Sequence, residues 1–380
     1  MDAYTDREQT KAKHYILRHY LQALAFKVLR NWDIAYVDGF SGPWESKTPD
    51  FSDTSFMIAI GVLKEAQRVV REQTQRTPRI RCFFSEKDPE AYRQMVDAVA
   101  TYHRPDEGFE IRTYQGEFVD AVVKIRTFIG NFFPLIFIDP TGWTEYPLTK
   151  IAPLFRAAKV EVLINFMYGH ISRFISHPDE KITASLDPIL GGPGWKDRLD
   201  PALKPGPAVE KLFRETLKAA GNFGYVISTR IDKSTEDRPH FFLAYGTKDR
   251  NGLKAFRETE FDALKEHARS RGAAKTRKRE TRTGGRELFA DFDADVEEAS
   301  IESIVLEQKA LAKERLVQML KDEGSVRFTK VINVLLEAFM VRETNVKDIC
   351  VQLAKDGQIR NTWGSGNRKP KDDTVIQSNS

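Results

Sequence analysis

At 380 residues, with 41% hydrophobic and 30% charged side chains, the chain is too long for one ordinary core and too apolar to be disordered, so two domains are expected. No apolar run approaches the roughly 20 residues of a membrane span, and the charged start MDAYTDREQTKAKH lacks the apolar stretch of a secretion signal. Two cysteines, Cys82 and Cys350, read as buried free thiols of a cytoplasmic protein; with seven scattered histidines they give no ligand spacing, so no metal site is expected.

From residue 10 to 30, Ile16, Leu17, Tyr20, Leu21, Leu24 and Val28 recur at helical spacing. DIAYVD follows as a short strand that stops at Gly39, and residues 54–73 are helical again. IRCFFSE is a second strand, and DPEAYRQMVDAV is a helix with Pro89 in its first turn. FEIRTY and a helix over 118–130 repeat the unit. PLIFID is almost wholly apolar, as for a strand buried on both faces of a parallel sheet, and VEVLINF is the next. Strands alternating with helices predict a parallel sheet covered on both sides. YVISTRI and HFFLAYGT are joined only by the polar loop DKSTEDRP, so they should pair as an antiparallel hairpin. A parallel sheet closed by a reversed hairpin strand is the Rossmann-like α/β arrangement of class I methyltransferases.

Residues 269–286 then hold eight Arg or Lys against one acid, Glu280, and ELFADFDADVEEASIE reverses the sign. This reads as a charged linker, either a solvated loop or an arm that touches phosphates. Residues 303–321 form an amphipathic helix, and RFTKVINVLLEAFMV and NVKDICVQLAKDGQI two more. IRNTWGSGNRKPKDDTVIQ reads as strand, turn and strand. Three helices and a β-wing make a winged helix-turn-helix. The expected domains are 1–265 (α/β), 266–300 (linker) and 301–380 (winged helix).

Ligands of an open parallel sheet sit at the C-terminal strand ends. In the first such loop Gly39 and Gly42 permit close approach and the Asp38 carboxylate can hold a cationic amino group; a plain turn is the alternative. Glu86 can accept from ribose hydroxyls or help cap the helix that follows. Glu117 and Phe118 lie where an adenine ring would rest. Asp139-Pro140-Thr141-Gly142-Trp143 partly matches the Asp/Asn-Pro-Pro-aromatic motif with which amino-directed methyltransferases hold a target amine, with Asn165 facing the same cleft. His170 and Arg173 follow shortly, His170 more plausibly structural than catalytic. The winged helix offers Lys347, Lys355, Arg360, Arg368, Lys369 and Lys371 to a nucleic acid, although such modules also dock proteins. A nicotinamide-dependent oxidoreductase fits poorly, because no G-x-G-x-x-G follows the first strand.

KHYILRHYL, YVDGFSGP, FFSEKDP, IFIDPTGW, INFM and NRKPKDDTVIQ, in that order and spacing, make the chain resemble the three-Cys-motif partner protein family (TcmP). The resemblance implies a bacterial protein with a methyltransferase-like domain, a C-terminal winged helix-turn-helix and a separate partner protein carrying the three-cysteine motif. It puts S-adenosylmethionine at Asp38, Gly39, Gly42 and Glu86, and Asp139 at the acceptor. Trp44 departs from the pattern, standing where such loops commonly have a further glycine, and crowds the approach to the ligand. Two functions follow: a methyltransferase acting on or bound to nucleic acid, or a non-catalytic partner subunit that keeps the fold.

Overall fold

In the computed structural model, which describes residues 3–175, 177, 179–285, 287, 291–364 and 368–379, the chain divides into two compact units, Met1–Gly252 and Leu253–Ser380. The first contains α1 (Glu8–Val28), β1 (Ile34–Asp38), α2 (Ser55–Thr74), β2 (Ile80–Glu86), α3 (Pro89–Ala100), β3 (Phe109–Gln115), α4 (Val122–Ile129), β4 (Phe133–Ile138) and α5 (Leu148–Ile151). β5 (Glu161–Phe166), α6 (Tyr168–Ile171), α7 (Glu180–Ala184), α8 (Pro205–Gly221), β6 (Tyr225–Asp232) and β7 (Pro239–Thr247) complete it.

The sheet runs β3-β2-β1-β4-β5-β7-β6, parallel throughout except for β7, which is antiparallel to both β5 and β6. This mixed α/β sheet, with its reversed strand beside β5, is consistent with the Rossmann-like arrangement expected from the sequence. The hairpin forms as the short polar loop requires. Every residue of β1 and β5 is buried, which matches strands covered on both faces. Val37, Phe83, Ile136, Ile138, Val162 and Ile164 meet α4, α5 and α8 on one face, while α2 packs on the other. Asp88 caps α3 by accepting from the backbone N–H groups of Glu90 and Ala91, with Pro89 in the first turn. Cys82 and Cys350 are buried free thiols.

The second unit contains most of α9 (Arg250–Thr283), then α10 (Phe292–Glu323), β8 (Ser325–Arg327), α11 (Phe328–Ala338), α12 (Glu343–Lys355) and β9 (Val375–Gln377). The segment 266–300, expected as a linker, is instead helical over nearly all its described length, and the α/β unit ends earlier, at Gly252. The reason is charge pairing: Lys265 bonds Glu302 at 2.9 Å, Arg269 bonds Glu298 at 2.7 Å, Arg271 bonds Glu297 at 3.0 Å, and Arg279 bonds Asp293. The basic block is thus partly neutralised by the acidic block that follows it. Gly272 makes this possible, because a β-carbon there would collide with the backbone of Ala294. Arg286 lies outside the described residues.

α10 starts well before the expected residue 303, and β9 pairs antiparallel with β8, a strand that the sequence pattern did not reveal. Ser365–Asn367, in the expected wing, lie outside the described residues. Among the described residues, no helix is long and apolar enough to cross a membrane.

At the N-terminal end of β5, Glu161 is completely enclosed. The Tyr20 hydroxyl donates to its Oε2 at 2.5 Å and the Thr247 hydroxyl to its Oε1 at 3.1 Å. Burial outweighs these donors and pushes the carboxyl from 4.5 up to about 7. A carboxyl whose folded value lies above its unfolded one gives its full stabilisation below the unfolded value and loses it as pH rises through the folded value. Wild-type protein should therefore lose about 3 kcal/mol more than Glu161→Gln between about pH 5 and pH 8. Urea titrations of both at the two pH values check this; parallel losses would contradict it.

Candidate functional site

β1 lies between β2 and β4, where the strand order reverses, and side chains from the C-terminal ends of β1, β2, β4 and β5 converge there. A cavity of about 370 Å³ opens at this point, within the usual size of ligand pockets. Its walls come from the loop after β1 (Phe40, Gly42, Trp44), from the ends of β4 and β5 (Asp139, Asn165), from α1 (Lys13, His14) and from β7 (His240, Phe241). A smaller hollow of about 60 Å³ adjoins it, lined by Gly39, Glu86, Glu117 and Phe118. The two share Phe40, Trp44, Asp139 and Thr141.

Asp38 does not reach either cavity. It is fully buried and accepts from the Phe40 N–H at 3.1 Å and the Ser55 hydroxyl at 2.6 Å, tying the loop to the start of α2. Burial raises its carboxyl to about 6, with those donors acting the other way. The expected contact with a ligand amino group is replaced by an internal loop anchor, because the side chain folds back beneath the glycines.

Gly39 and Gly42 make room for the chain's own side chains. A β-carbon on Gly39 would press on the Phe118 ring, and one on Gly42 would collide with the Trp44 indole and the Glu86 carboxylate. Of the two roles the sequence left open for Glu86, the helix-capping one is visible in the geometry. Its Oε1 accepts from the Asp88 N–H at 2.8 Å, supporting the cap of α3, and its Oε2 faces the hollow. There it accepts from the Trp44 indole N–H at 3.1 Å. Trp44, 57% exposed, thus lies across the carboxylate that a ribose would need. Phe118 is buried beside the hollow and Glu117 is exposed at its rim.

At the end of β4, Asp139, Pro140 and Thr141 line the main cavity. Asp139 accepts from the Asn165 amide at 2.7 Å and from the Lys13 ammonium. Because the Asn165 amino group faces Asp139, its Oδ1 points away, buried and without a donor among the described residues. Trp143 departs from expectation. Its indole N–H donates to the Ser185 hydroxyl at 3.0 Å and its ring packs 4.9 Å from Phe174, away from the cavity. Falling one position later than in the motif, the aromatic turns into the protein instead of over an acceptor.

Several wall residues were not singled out from sequence. Lys13 and His14 are 8% and 7% exposed; burial, then the Lys13 charge, lowers His14 to about 3, so it is neutral. Arg7 holds Asp53 at 2.8 Å. Burial would raise the Asp53 carboxyl, but donors from Lys47, Ser46, Thr48 and Arg7 bring it down to about 2. His170 lines the cavity opposite His240, which burial lowers first and the neighbouring His170 next; Arg173 is exposed and off the wall. Lys13 left one signal: it shares the inward stripe of its helix with Ile16, Leu17 and Tyr20, and a charge on an apolar stripe needs a buried partner.

In the second unit, Lys347 is paired with Glu343 at 2.7 Å and Lys369 with Asp348 at 2.5 Å, both acids on α12. Lys355, Arg360, Arg368 and Lys371 are exposed, with no ion pair among the described residues.

No family model matches the chain, and no curated protein matches it. Among solved structures, it is similar to a loganic acid methyltransferase with SAH, at 10% identity, over 80% of this chain and 91% of that one, with a TM-score of 0.29.

The Lys13–Asp139 pair is nearly buried, with side chains 11% and 16% exposed, so removing one partner strands the other charge. Asp139→Ala should destabilise the fold by about 3 kcal/mol. Lys13→Met combined with Asp139→Ala should recover most of that loss. Denaturant titration of the three proteins decides it; an Asp139→Ala protein as stable as wild type would contradict the pairing.

Proposed function

We propose that the first unit binds S-adenosylmethionine and that the chain is a methyltransferase-like protein, acting on or bound to nucleic acid together with a partner that carries a three-cysteine motif. The observation that carries the cofactor reading is the meeting of Gly42, Glu86 and Asp139 at the reversal point of a β3-β2-β1-β4-β5-β7-β6 sheet, around a cavity of ligand size.

The donor set fits such a molecule on one condition. The 60 Å³ hollow is well below the roughly 300–1,000 Å³ of ligand pockets, and the Trp44 indole lies between it and the main cavity. With that indole turned out, Glu86 Oε2 is free for ribose hydroxyls, Phe118 and Glu117 flank the base, and Gly42 lets the ligand pass close to the backbone. Trp44 is mostly exposed and, among the described residues, its indole N–H bonds Glu86 alone, so displacing it breaks one hydrogen bond. When bound, S-adenosylmethionine supplies an electrophilic methyl group. The chain's own contribution is positioning: Asp139 and the unpaired Asn165 Oδ1 are acceptors for an N–H-bearing group, once the Lys13 ammonium yields its place.

The nucleic-acid half rests on the second unit. The order α10, β8, α11, α12, β9, with β8 pairing β9, supports a winged helix, and Lys355, Arg360, Arg368 and Lys371 are available to phosphates. The second reading, a non-catalytic partner subunit, is favoured by one specific fact: Trp44 on Glu86 and Lys13 on Asp139 already satisfy the two carboxylates that a ligand would use.

Calorimetry separates these. Wild-type protein should bind S-adenosylmethionine, and Glu86→Ala should weaken it by about 1.5–3 kcal/mol, the cost of losing hydrogen bonds to a charged group. No heat at millimolar ligand would leave only the non-catalytic reading. For nucleic acid, neutralising Arg368, Lys369 and Lys371 together should weaken duplex binding and flatten its salt dependence, by up to about 0.9 log units for each phosphate no longer neutralised. Unchanged binding would contradict the wing assignment.

A further inference from the structure

Five of the ten large apolar side chains exposed among the described residues lie on one helix, α10: Phe292, Val296, Ile304, Leu306 and Leu311. Phe292 and Leu306 are each 63% exposed. Such clustering marks an interaction surface, unlike isolated exposed apolar residues. The opposite side of the helix is already used, since Val305, Ala312, Leu316 and Met319 are buried within the unit.

The exposed side has a seam. Phe292, Val296, Ala299, Ser303, Leu306 and Ala310 are all exposed and spaced alternately four and three residues apart, the 3.5-residue period of a coiled-coil contact line. Three heptads of it span roughly 27 Å at about 1.5 Å per residue.

We infer that this seam pairs with the same seam of a second copy, antiparallel, in one register. With residue sums of 602, Phe292 faces Ala310 of the second copy, Val296 faces Leu306, and Ala299 faces Ser303. The outer four layers each join a larger side chain to a smaller, and the two central layers join Ala299 with Ser303, which is how facing positions interdigitate without voids. A parallel alignment would instead set Phe292 on Phe292 and leave Ala299 on Ala299. On one flank the charges suit this register, and on the other Asp293 meets Glu307 of the second copy but is already paired with Arg279. In the antiparallel pair Asp295 lies beside Lys309 of the second copy, twice by symmetry. Neither residue has an ion pair among the described residues. Glu302, at the centre of the dimer, meets its own symmetry mate but is already neutralised by Lys265 at 2.9 Å. In the parallel alignment Glu302 would instead face Glu307.

Sedimentation equilibrium of the full chain, from about 1 to about 100 µM, tests this. Wild-type protein should be a dimer at the upper end. Leu306→Glu should be monomeric throughout with unchanged helical circular dichroism, since the site is on the surface. Asp295→Lys should raise the dimer dissociation constant about tenfold, and the swap Asp295→Lys with Lys309→Asp should restore it. A monomeric wild type, or a Leu306→Glu protein that still dimerises, overturns the inference. Failure of the charge swap to restore association overturns the antiparallel register.

Discussion

A carboxylate taken out of bulk water must be protonated or supplied with donors, and this requirement shapes the whole ligand end of the sheet. Four acids meet there, and each is answered from within the chain. Asp38 takes the Ser55 hydroxyl and the Phe40 N–H, Asp53 takes Arg7 and its own loop, Glu86 takes the Asp88 N–H and the Trp44 indole, and Asp139 takes Lys13 and Asn165. The first two are locked into the architecture of the loop. Asp53 also lines the main cavity, but at Glu86 and Asp139 one donor each is replaceable, a mostly exposed indole and the end of a long lysine. Those are the donors a ligand can replace, and any affinity of the site is the difference between ligand and side chain.

The sequence exposed what is local. Strand periods, the Pro89 start and Asp88 cap of α3, and the hairpin forced by a short polar loop are all set within a few residues, and each appears in the sheet as read. The glycines at 39 and 42 were legible as positions that need space, but the sequence did not show that Phe118, Trp44 and Glu86 take it up. Long-range partners were not legible. That Lys13 reaches across 126 residues to Asp139 follows only once α1 is laid over the strand ends. Trp143 carried the right residue type for a stacking wall, but a one-residue shift turned its ring toward Phe174.

The charged middle of the chain shows the same limit differently. Basic and acidic blocks in succession are equally the pattern of a linker and of two helices that neutralise each other, and composition cannot separate them. Gly272 decides for the helices, since it removes the side chain at the point where they come closest. The cations of 269–286, read as a linker or as an arm that touches phosphates, are therefore partly spent on Glu297, Glu298 and Asp293. The remaining candidates lie at the C-terminus, where α12 itself is mixed: Glu343, Asp348 and Asp356 stand among Lys347 and Lys355. Any nucleic-acid affinity of this unit would thus draw on Arg360, Arg368 and Lys371 more than on α12.

The central claim is that the chain's own donors compete with the ligand, and Trp44→Phe tests it most directly, because it keeps an aromatic side chain, though a smaller one, and deletes the N–H that bonds Glu86. Calorimetric titration with S-adenosylhomocysteine should show this variant binding about tenfold more tightly than wild type, as for the removal of one competing hydrogen bond to a charged group. Equal or weaker binding by Trp44→Phe would contradict the account.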